Sequence, residues 1–508
     1  MNFSIRSGIA AFIVLATPLL ATAETKNAIV FLVDDMGWTD VGAFGSDFYE
    51  TPHIDALAAA GTKFTNAYAA CTVCSPTRAA LLTGQYPARL RVTDFIPGHP
   101  FVNTPLTIPD WTQVLEHRQV TIAEILKEKG FKTAHLGKWH LTHRDRSGPG
   151  GSDNPDPTFY PESQGFDFNI GGNEHGAPPS YFWPYGKGKT VEIKKKNTIY
   201  ATLPKDGKDG EYLTDRLASE AVGLIDGFAE SESPFFMYFS FYNVHTPLQG
   251  RPDLVEKYEK KLKSSPKPLH GNVKYAAMVE SVDEAIGRVM AKLQESGLTE
   301  KTLIIFTSDN GGLDPVATDN APLRQGKGGI YEGGVRIPTI INWPGVTKAG
   351  TESSEPIITM DFLPTILEAL GQKVPDKIKS TVDGISLTPV LKNPTTSLDR
   401  DAIFWHYPHY HSMGAQPYSA IRMGDWKLIE LHDGRPLELY SLAKDIHEDH
   451  NLAKKNPAKA TELHKRLSEW KQSVDAQMPT TNAAFNASKK TGVQRNGNAV
   501  KAAAALRK

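Results

Sequence analysis

Four segments of this chain read as buried strands, and each runs straight into reactive polar side chains at its carboxyl end. "AIVFLVDD" (28–35) closes on Asp34 and Asp35, and "FKTAHLGKWH" (131–140) on Lys138 and His140. "PFFMYFSFYNVHTP" (234–247) leads to His245, and "KTLIIFTSDNGG" (301–312) to Asp309 and Asn310. Helical stretches precede the last three: "TIAEILKEKG" (121–130), "LTDRLASEAVGLIDGF" (213–228) and "YAAMVESVDEAIGRVMAKLQESG" (275–297). Apolar strands alternating with helices specify an α/β fold with a large, mixed but mostly parallel sheet flanked by helices. Open sheets of this kind take ligands at the carboxyl edge. One polar strand end carries little information; four predict a single shared site.

The pattern changes near residue 395. "RDAIFWHY", "SAIRMGDWKLIEL" and "LELYSL" read as short antiparallel strands, followed by the amphipathic helix "PAKATELHKRLSEWKQSVDAQ". These predict a smaller C-terminal subdomain of antiparallel sheet plus helix, residues 396–478. Residues 479–508 are polar, rich in small side chains and without amphipathic period, and are expected to be a disordered tail. At the other end, Arg6 precedes an apolar run that stops at Ala21-Thr22-Ala23. That is the layout of a signal peptide covering residues 1–23, so export to the periplasm or medium is expected, with no membrane anchor.

Charge is balanced, 56 basic residues against 57 acidic, which argues against nucleic acid or an anionic membrane as partner. Anion recognition must therefore be local. Adjacent carboxylates at Asp34 and Asp35 repel unless neutralised, and a hard divalent cation with oxygen ligands does this. Asp309 and Asn310 add two more oxygen donors. Each pair alone is an ordinary turn former; together they favour a metal. Zinc is disfavoured because neither pair offers His or Cys.

The only cysteines are Cys71 and Cys74, in "CTVCSPTRAALLTG" (71–84). A bridge between them would close a tiny loop and constrain the unfolded chain little. "SPTRAALL" reads as a helix start, with Pro76 in the first turn. Cys74 then precedes a positive helix end beside Arg78, an environment that suits an anionic nucleophile or a bound oxyanion.

Cys74-Ser75-Pro76-Thr77-Arg78 followed by "AALLTG" resembles the C-x-P-x-R…L-T-G signature of type I sulfatases, in the alkaline phosphatase-like superfamily. "VDDMGWTDVGAFG", "GKWHL", "HTP", "SDNGG" and "GKGGIYEGGVRIP" resemble further segments of that family, in family order across residues 26–430. Thr77, where Ser is commoner, is a conservative departure. The resemblance implies a catalytic domain over residues 24–395, closest to bacterial polysaccharide sulfatases and arylsulfatases. It implies that a maturation enzyme, the formylglycine-generating enzyme, converts Cys74 to Cα-formylglycine. It also implies a metal, Ca²⁺ with Mg²⁺ as the alternative, held by Asp34, Asp35, Asp309, Asn310 and the modified Cys74. By the same resemblance Arg78 steadies the aldehyde hydrate, Asp309 takes the attacking proton, and Lys138 and Lys327 hold sulfate oxygens. His245 protonates the leaving alkoxide with help from Lys327, and His140 assists release. Cys71 is read as packing. Glu332 and Arg336 are expected to pair and fix their loop.

Two aromatic and histidine-rich stretches, "NEHGAPPSYFWPY" (173–185) and "FWHYPHYH" (404–411), suit a sulfated carbohydrate. They nominate His175, His409 and His411 as substrate contacts, whereas Trp183 and Trp405 serve equally well as packing. Three alternatives stand beside the sulfatase reading: a phosphonate monoester or phosphodiester hydrolase of the same superfamily, a periplasmic glycan or metal binder, and a thiol-disulfide protein using Cys71 and Cys74.

Overall fold

The computed structural model describes residues 24–145, 154–155, 157–185, 202–203, 206–264 and 272–493. The expected signal peptide, residues 1–23, lies outside them. Strands β1 (Asn27–Val33), β2 (Thr62–Phe64), β3 (Lys132–Gly137), β4 (Phe168–Ile170), β5 (Phe235–Ser240), β6 (Thr302–Ser308), β7 (Thr339–Asn342) and β8 (Thr351–Ser353) form one sheet in the order β8-β2-β7-β6-β1-β5-β3-β4. Pairing is parallel from β6 across to β4, and β7 alone runs antiparallel to its neighbours.

β1 is buried along its length because alternate side chains enter different cores. Ile29, Phe31 and Val33 join one cluster; Ala28, Val30 and Leu32 join another. Helices cover both faces: α1 (Cys74–Thr83), α2 (Ile122–Glu128), α3 (Leu213–Glu230), α4 (Val273–Glu295) and α5 (Phe362–Ala369). From α3 and α4, Leu217, Ile225, Val282 and Ile286 pack with Phe31; from α1, α2 and α5, Leu81, Ile125 and Ile366 pack with Val30. Each buried aliphatic or aromatic side chain contributes about 1.5–3 kcal/mol, so the central strands are the rigid part of the molecule and their ends are fixed points. The helix before β3 begins with a capping box, Thr121 Oγ1 accepting from Glu124 N–H at 3.1 Å and Glu124 Oε2 from Thr121 N–H at 2.7 Å.

The C-terminal part is a second, antiparallel sheet of β9 (Ile403–Tyr407), β10 (Tyr418–Met423), β11 (Trp426–Leu431) and β12 (Glu438–Ser441). Helix α6 (Pro457–Ser473) packs on it through Leu463, Leu467 and Trp470. The same cluster includes Cys71, Val73 and Ala80, so this subdomain supports the segment that presents Cys74. Trp405 is a packing residue: it is buried and donates its Nε1–H to Ala69 O at 2.9 Å. Among the described residues no helix is long and apolar enough to cross a membrane.

The expectation of a disordered tail fails for its described part. Thr480–Thr481 pairs antiparallel with Leu106–Thr107, and Gly492–Val493 with Phe101–Val102. These contacts use backbone groups and asparagine side chains, which need no amphipathic period, so the composition of the segment conceals them.

Candidate active site

Several of the candidate residues sit at or just past the end of a rigid element, while Lys327 lies in a loop. β1 delivers Asp34 and Asp35, β6 delivers Asp309 and Asn310, and the chain leaving β5 carries His245. β3 ends at Gly137, whose φ is +88°, and any Cβ there would lie 1.9 Å from Ser240 O. Glycine thus lets β3 close onto β5, with Lys138 N–H donating to Ser240 O at 2.8 Å. Asp35 and His140 have left-handed φ values of 64° and 57°. Such backbones cost about 1–3 kcal/mol each and gather at functional sites. Cys74 is the first residue of α1, behind an extended Val73.

Around Cys74 three buried acids meet three buried bases. Lys138 Nζ lies 2.9 and 2.7 Å from the two oxygens of Asp34. Lys327 Nζ lies 2.8 Å from Asp35. Arg78 donates from Nε and Nη2 to Asp309 Oδ2 at 3.0 and 2.7 Å. Buried ion pairs recover their desolvation cost poorly, so a cluster this dense marks function rather than stability. Burial, with Asp309 and Asp35 adding to it, raises the Asp34 carboxyl well above the usual range against the pull of Lys138. Burial pushes Asp35 upward too, but Lys327, His245 and Lys138 outweigh it and hold that carboxyl low.

The donor set fits a hard divalent cation. Ligand atoms of Asp34, Cys74 and Asp309 all lie within 4.8 Å of one another. Asn310 donates its Nδ2 to Asp35 Oδ1 at 2.8 Å, while its Oδ1 is buried and has no hydrogen-bond partner. A buried, unpartnered amide oxygen costs about 1–3 kcal/mol; beside three carboxylates, a cation is the partner that satisfies it.

The two histidines have fixed tautomers. A carbonyl can only accept, so His140 Nε2–H donates to Ile96 O at 2.6 Å and Nδ1 faces Cys74 Sγ at 3.4 Å as an acceptor. His245 Nδ1–H donates to Thr246 O at 2.8 Å, which turns Nε2 toward Asp35 Oδ2 at 3.6 Å. Burial, reinforced by Lys138, keeps His140 neutral, and burial with Lys327 lowers His245 to about 3. Burial also raises the Cys74 thiol, despite Lys138 and Lys327. Of the two readings of this helix end, an anionic nucleophile or a bound oxyanion, burial disfavours a thiolate at Cys74.

A cleft of about 430 Å³ opens onto Asp35, Cys74, His140, His245 and Lys327. Of the three histidines nominated for substrate, His411 lines it. His175 does not, although its neighbours Glu174 and Gly176 do; its ring is turned to Asn173 Oδ1 and Glu174 Oε1, each at 3.1 Å. His409 is buried elsewhere, its Nε2 2.8 Å from Thr93 Oγ1 and its ring against Trp111. Its burial under the loop corrects the expectation of a substrate contact. Trp183 packs edge-on to Tyr185. The cleft adds residues that sequence reasoning missed, among them Phe95, His99 and Glu174. Glu174 lies inside a stretch singled out for its histidine, whereas His99 sits in a Pro/Gly loop with no periodic signal.

Glu332 and Arg336 do approach, at 3.5 Å, but their closer partners differ. Glu332 takes Lys427 Nζ at 3.0 Å and Tyr68 OH at 2.7 Å, while Arg336 donates to Thr65 O at 2.8 and 2.6 Å. Glu332 thereby ties this loop to the C-terminal sheet through Lys427, and Arg336 ties it to the chain after β2. Gly328, with φ +68°, abuts His411: a Cβ there would lie 1.8 Å from its Nδ1. The subdomain thus brings His411 to the cleft across a position that only glycine fits.

Comparison with known proteins agrees with this geometry. The sulfatase family model matches residues 26–372, and that of the N-sulphoglucosamine sulphohydrolase C-terminal region matches residues 326–473. A sulfatase of Formosa agariphila is 34% identical, over 91% of this chain and 93% of that protein. An N-acetylgalactosamine-6-O-sulfatase of Bacteroides thetaiotaomicron is 30% identical, over 89% and 93%. The solved structure of Ps i-CgsB in complex with k-i-k-neocarrahexaose is 30% identical with a TM-score of 0.71, covering 88% of this chain and 93% of that one. With the paired acids and bases at the strand ends, these matches show that the chain belongs to the type I sulfatases of the alkaline phosphatase-like superfamily, and is a sulfuric ester hydrolase.

Proposed function

We propose that this chain is an exported enzyme that hydrolyses sulfate monoesters on a sulfated polysaccharide. Cys74 would be converted to formylglycine by a maturation enzyme, and Ca²⁺, or Mg²⁺ in its place, would be held by Asp34, Asp35, Asp309, Asn310 and residue 74. The observation that carries the reading is the one-to-one pairing of Asp34, Asp35 and Asp309 with Lys138, Lys327 and Arg78 around Cys74. The carbohydrate substrate is supported by the relatives' names and by a cleft whose walls include Phe95, His99 and His411. Aromatic faces suit sugar C–H surfaces, and imidazoles suit hydroxyls. Export rests on the pattern of residues 1–23.

When bound, the ion supplies a Lewis acid for a sulfate oxygen; the hydrated aldehyde supplies two hydroxyls on one carbon. The rest is done by side chains already in place. Lys138 and Lys327 bring buried positive charge to the sulfate oxygens, where low dielectric strengthens the attraction. His140 Nδ1, kept unprotonated, accepts a proton from residue 74 and is the base for release. His245 Nε2 faces the cleft and must gain a proton before giving it to the leaving alkoxide. An anionic ester bound beside it raises its pKa and favours that state. Proton donation of this kind contributes about 10²–10⁴-fold.

The test pairs two measurements. Peptide mass spectrometry across residues 71–78, on protein co-expressed with a formylglycine-generating enzyme, should show a loss of roughly 18 Da at Cys74, the thiol-to-aldehyde change that creates the nucleophile. The same protein should release free sulfate from sulfated oligosaccharides. A higher kcat/KM on phenyl phosphonate than on p-nitrophenyl sulfate would transfer the assignment to the phosphonate hydrolase reading.

A further inference from the structure

One stretch of the cleft wall is built by two distant parts of the chain. His99 and Phe95 come from the loop after α1, with ring centroids 4.6 Å apart, while His411 lies 4.8 Å from His99 and 5.7 Å from Phe95. All three line the cleft that contains Cys74. Two residues past His99 the chain forms two short strands, Phe101–Val102 and Leu106–Thr107, joined through Asn103 and not paired with each other. Of the apolar side chains here Leu106 is buried, whereas Val102 is 43% exposed. The ties of this segment to the subdomain are Leu106 N–H to Tyr410 OH at 3.1 Å and the Phe101–Tyr410 ring contact at 5.6 Å.

Residues 480–493 pair with both strands, Thr480–Thr481 antiparallel to Leu106–Thr107 and Gly492–Val493 antiparallel to Phe101–Val102. Asn103, at φ +52°, donates Nδ2 to Asn486 O at 3.0 Å and Lys489 O at 2.7 Å, and its Oδ1 accepts from Asn486 N–H at 2.9 Å. Asn482 reaches Pro105 O at 3.0 Å through its backbone and Thr104 O at 2.8 Å through its side chain. Resting on the reading of the cleft as a sulfated-sugar site, we infer that residues 480–493 are a strap that fixes the His99 wall, and that His99 contacts the sugar bearing the scissile sulfate. The strap residues are positioning residues. They touch the segment that follows His99, and not the cleft.

The experiment uses matured, metal-loaded enzyme in three variants: truncation after Pro479, Asn103→Gly and His99→Ala. Glycine accepts the positive φ of residue 103, so Asn103→Gly removes the amide contacts without straining the turn. KM for a sulfated oligosaccharide should rise at least about fivefold in the truncation and in His99→Ala, and less in Asn103→Gly. The truncation and Asn103→Gly should keep kcat on p-nitrophenyl sulfate within about twofold of the parent. Hydrogen exchange of amides 101–107 should speed up in the truncation and in Asn103→Gly. Unchanged exchange, or equal losses of kcat on both substrates, would overturn the strap. Should the parent release no sulfate from any ester, the functional reading fails instead, and the exchange data still decide the strap.

Discussion

Arg78 holds Asp309 through a single carboxylate oxygen: Nε at 3.0 Å and Nη2 at 2.7 Å both reach Oδ2, and neither side chain is exposed. Asp309 Oδ1 is left to the backbone N–H of Asp35 at 3.2 Å. The guanidinium continues through Nη1 to Lys138 O at 2.9 Å and to Ser240 Oγ. One arginine on the first turns of α1 therefore locks the carboxyl ends of β6, β3 and β5 together. A lysine, with a point charge on a flexible stem, cannot replace that fork.

Asp309→Asn keeps the shape of the site but leaves Arg78 buried without its main counter-charge. Asp34 is 3.5 Å away and already engaged by Lys138. Breaking a buried pair of this kind costs about 3–5 kcal/mol. Guanidinium denaturation followed by tryptophan fluorescence should show a lower midpoint, together with loss of sulfate release. A variant with the parental midpoint would mean that Arg78 has another partner in solution.

Ile96 O sets the tautomer of His140 and leaves Nδ1 as an acceptor facing residue 74. His140→Ala removes the base facing residue 74 and leaves Lys138, Lys327 and the carboxylates in place. A drop in kcat of about 10²–10⁴-fold with little change in KM is expected. A large rise in KM at unchanged kcat would instead make His140 a binding residue.

The unpartnered Asn310 Oδ1 gives the proposed metal its own readout. Ca²⁺ that binds the folded state alone raises Tm as its concentration grows. Removing divalent ions with a chelator should lower Tm and abolish activity, and Ca²⁺ should restore both. Asn310→Ala should blunt the Ca²⁺-dependent rise in Tm, because it deletes the amide oxygen in the set. An equal rise in parent and variant would take Asn310 out of the metal site.

The strand ends were legible because each motif residue follows directly from a run of buried apolar residues. Asp34 follows β1 and Asp309 follows β6, and a rigid sheet converts that adjacency into a shared location. The loops lack this logic. His409 and His411 are two residues apart after β9, yet one is buried against Thr93 and Trp111 while the other meets the cleft. Which side each faces depends on where residues 411–415 clip onto Gly328, through Ala415 N–H to Gly328 O at 2.9 Å. The segment that follows His99 pairs with residues nearly 400 positions away. No local pattern encodes contacts of that range.

The same loop carries a carboxyl that should make stability depend on pH. Asp94 is buried, accepts Tyr407 OH at 2.7 Å and Phe95 N–H at 2.8 Å on Oδ1, and makes no ion pair among the described residues. Burial pushes it up to about 7. The folded chain thus binds this proton more tightly than the unfolded chain, where an aspartate titrates near ~4. Its contribution to stability is complete below that value and is lost as pH rises through 7. Asp94→Asn keeps the Oδ1 acceptor and carries no charge at any pH. The Tm of Asp94→Asn minus that of the parent should therefore grow from pH 5 to about pH 7 and level off above it. A flat difference over that range would show that the parent carboxylate ionises in the folded state as easily as in water, through a cation or solvent path the packing around Tyr407 does not provide.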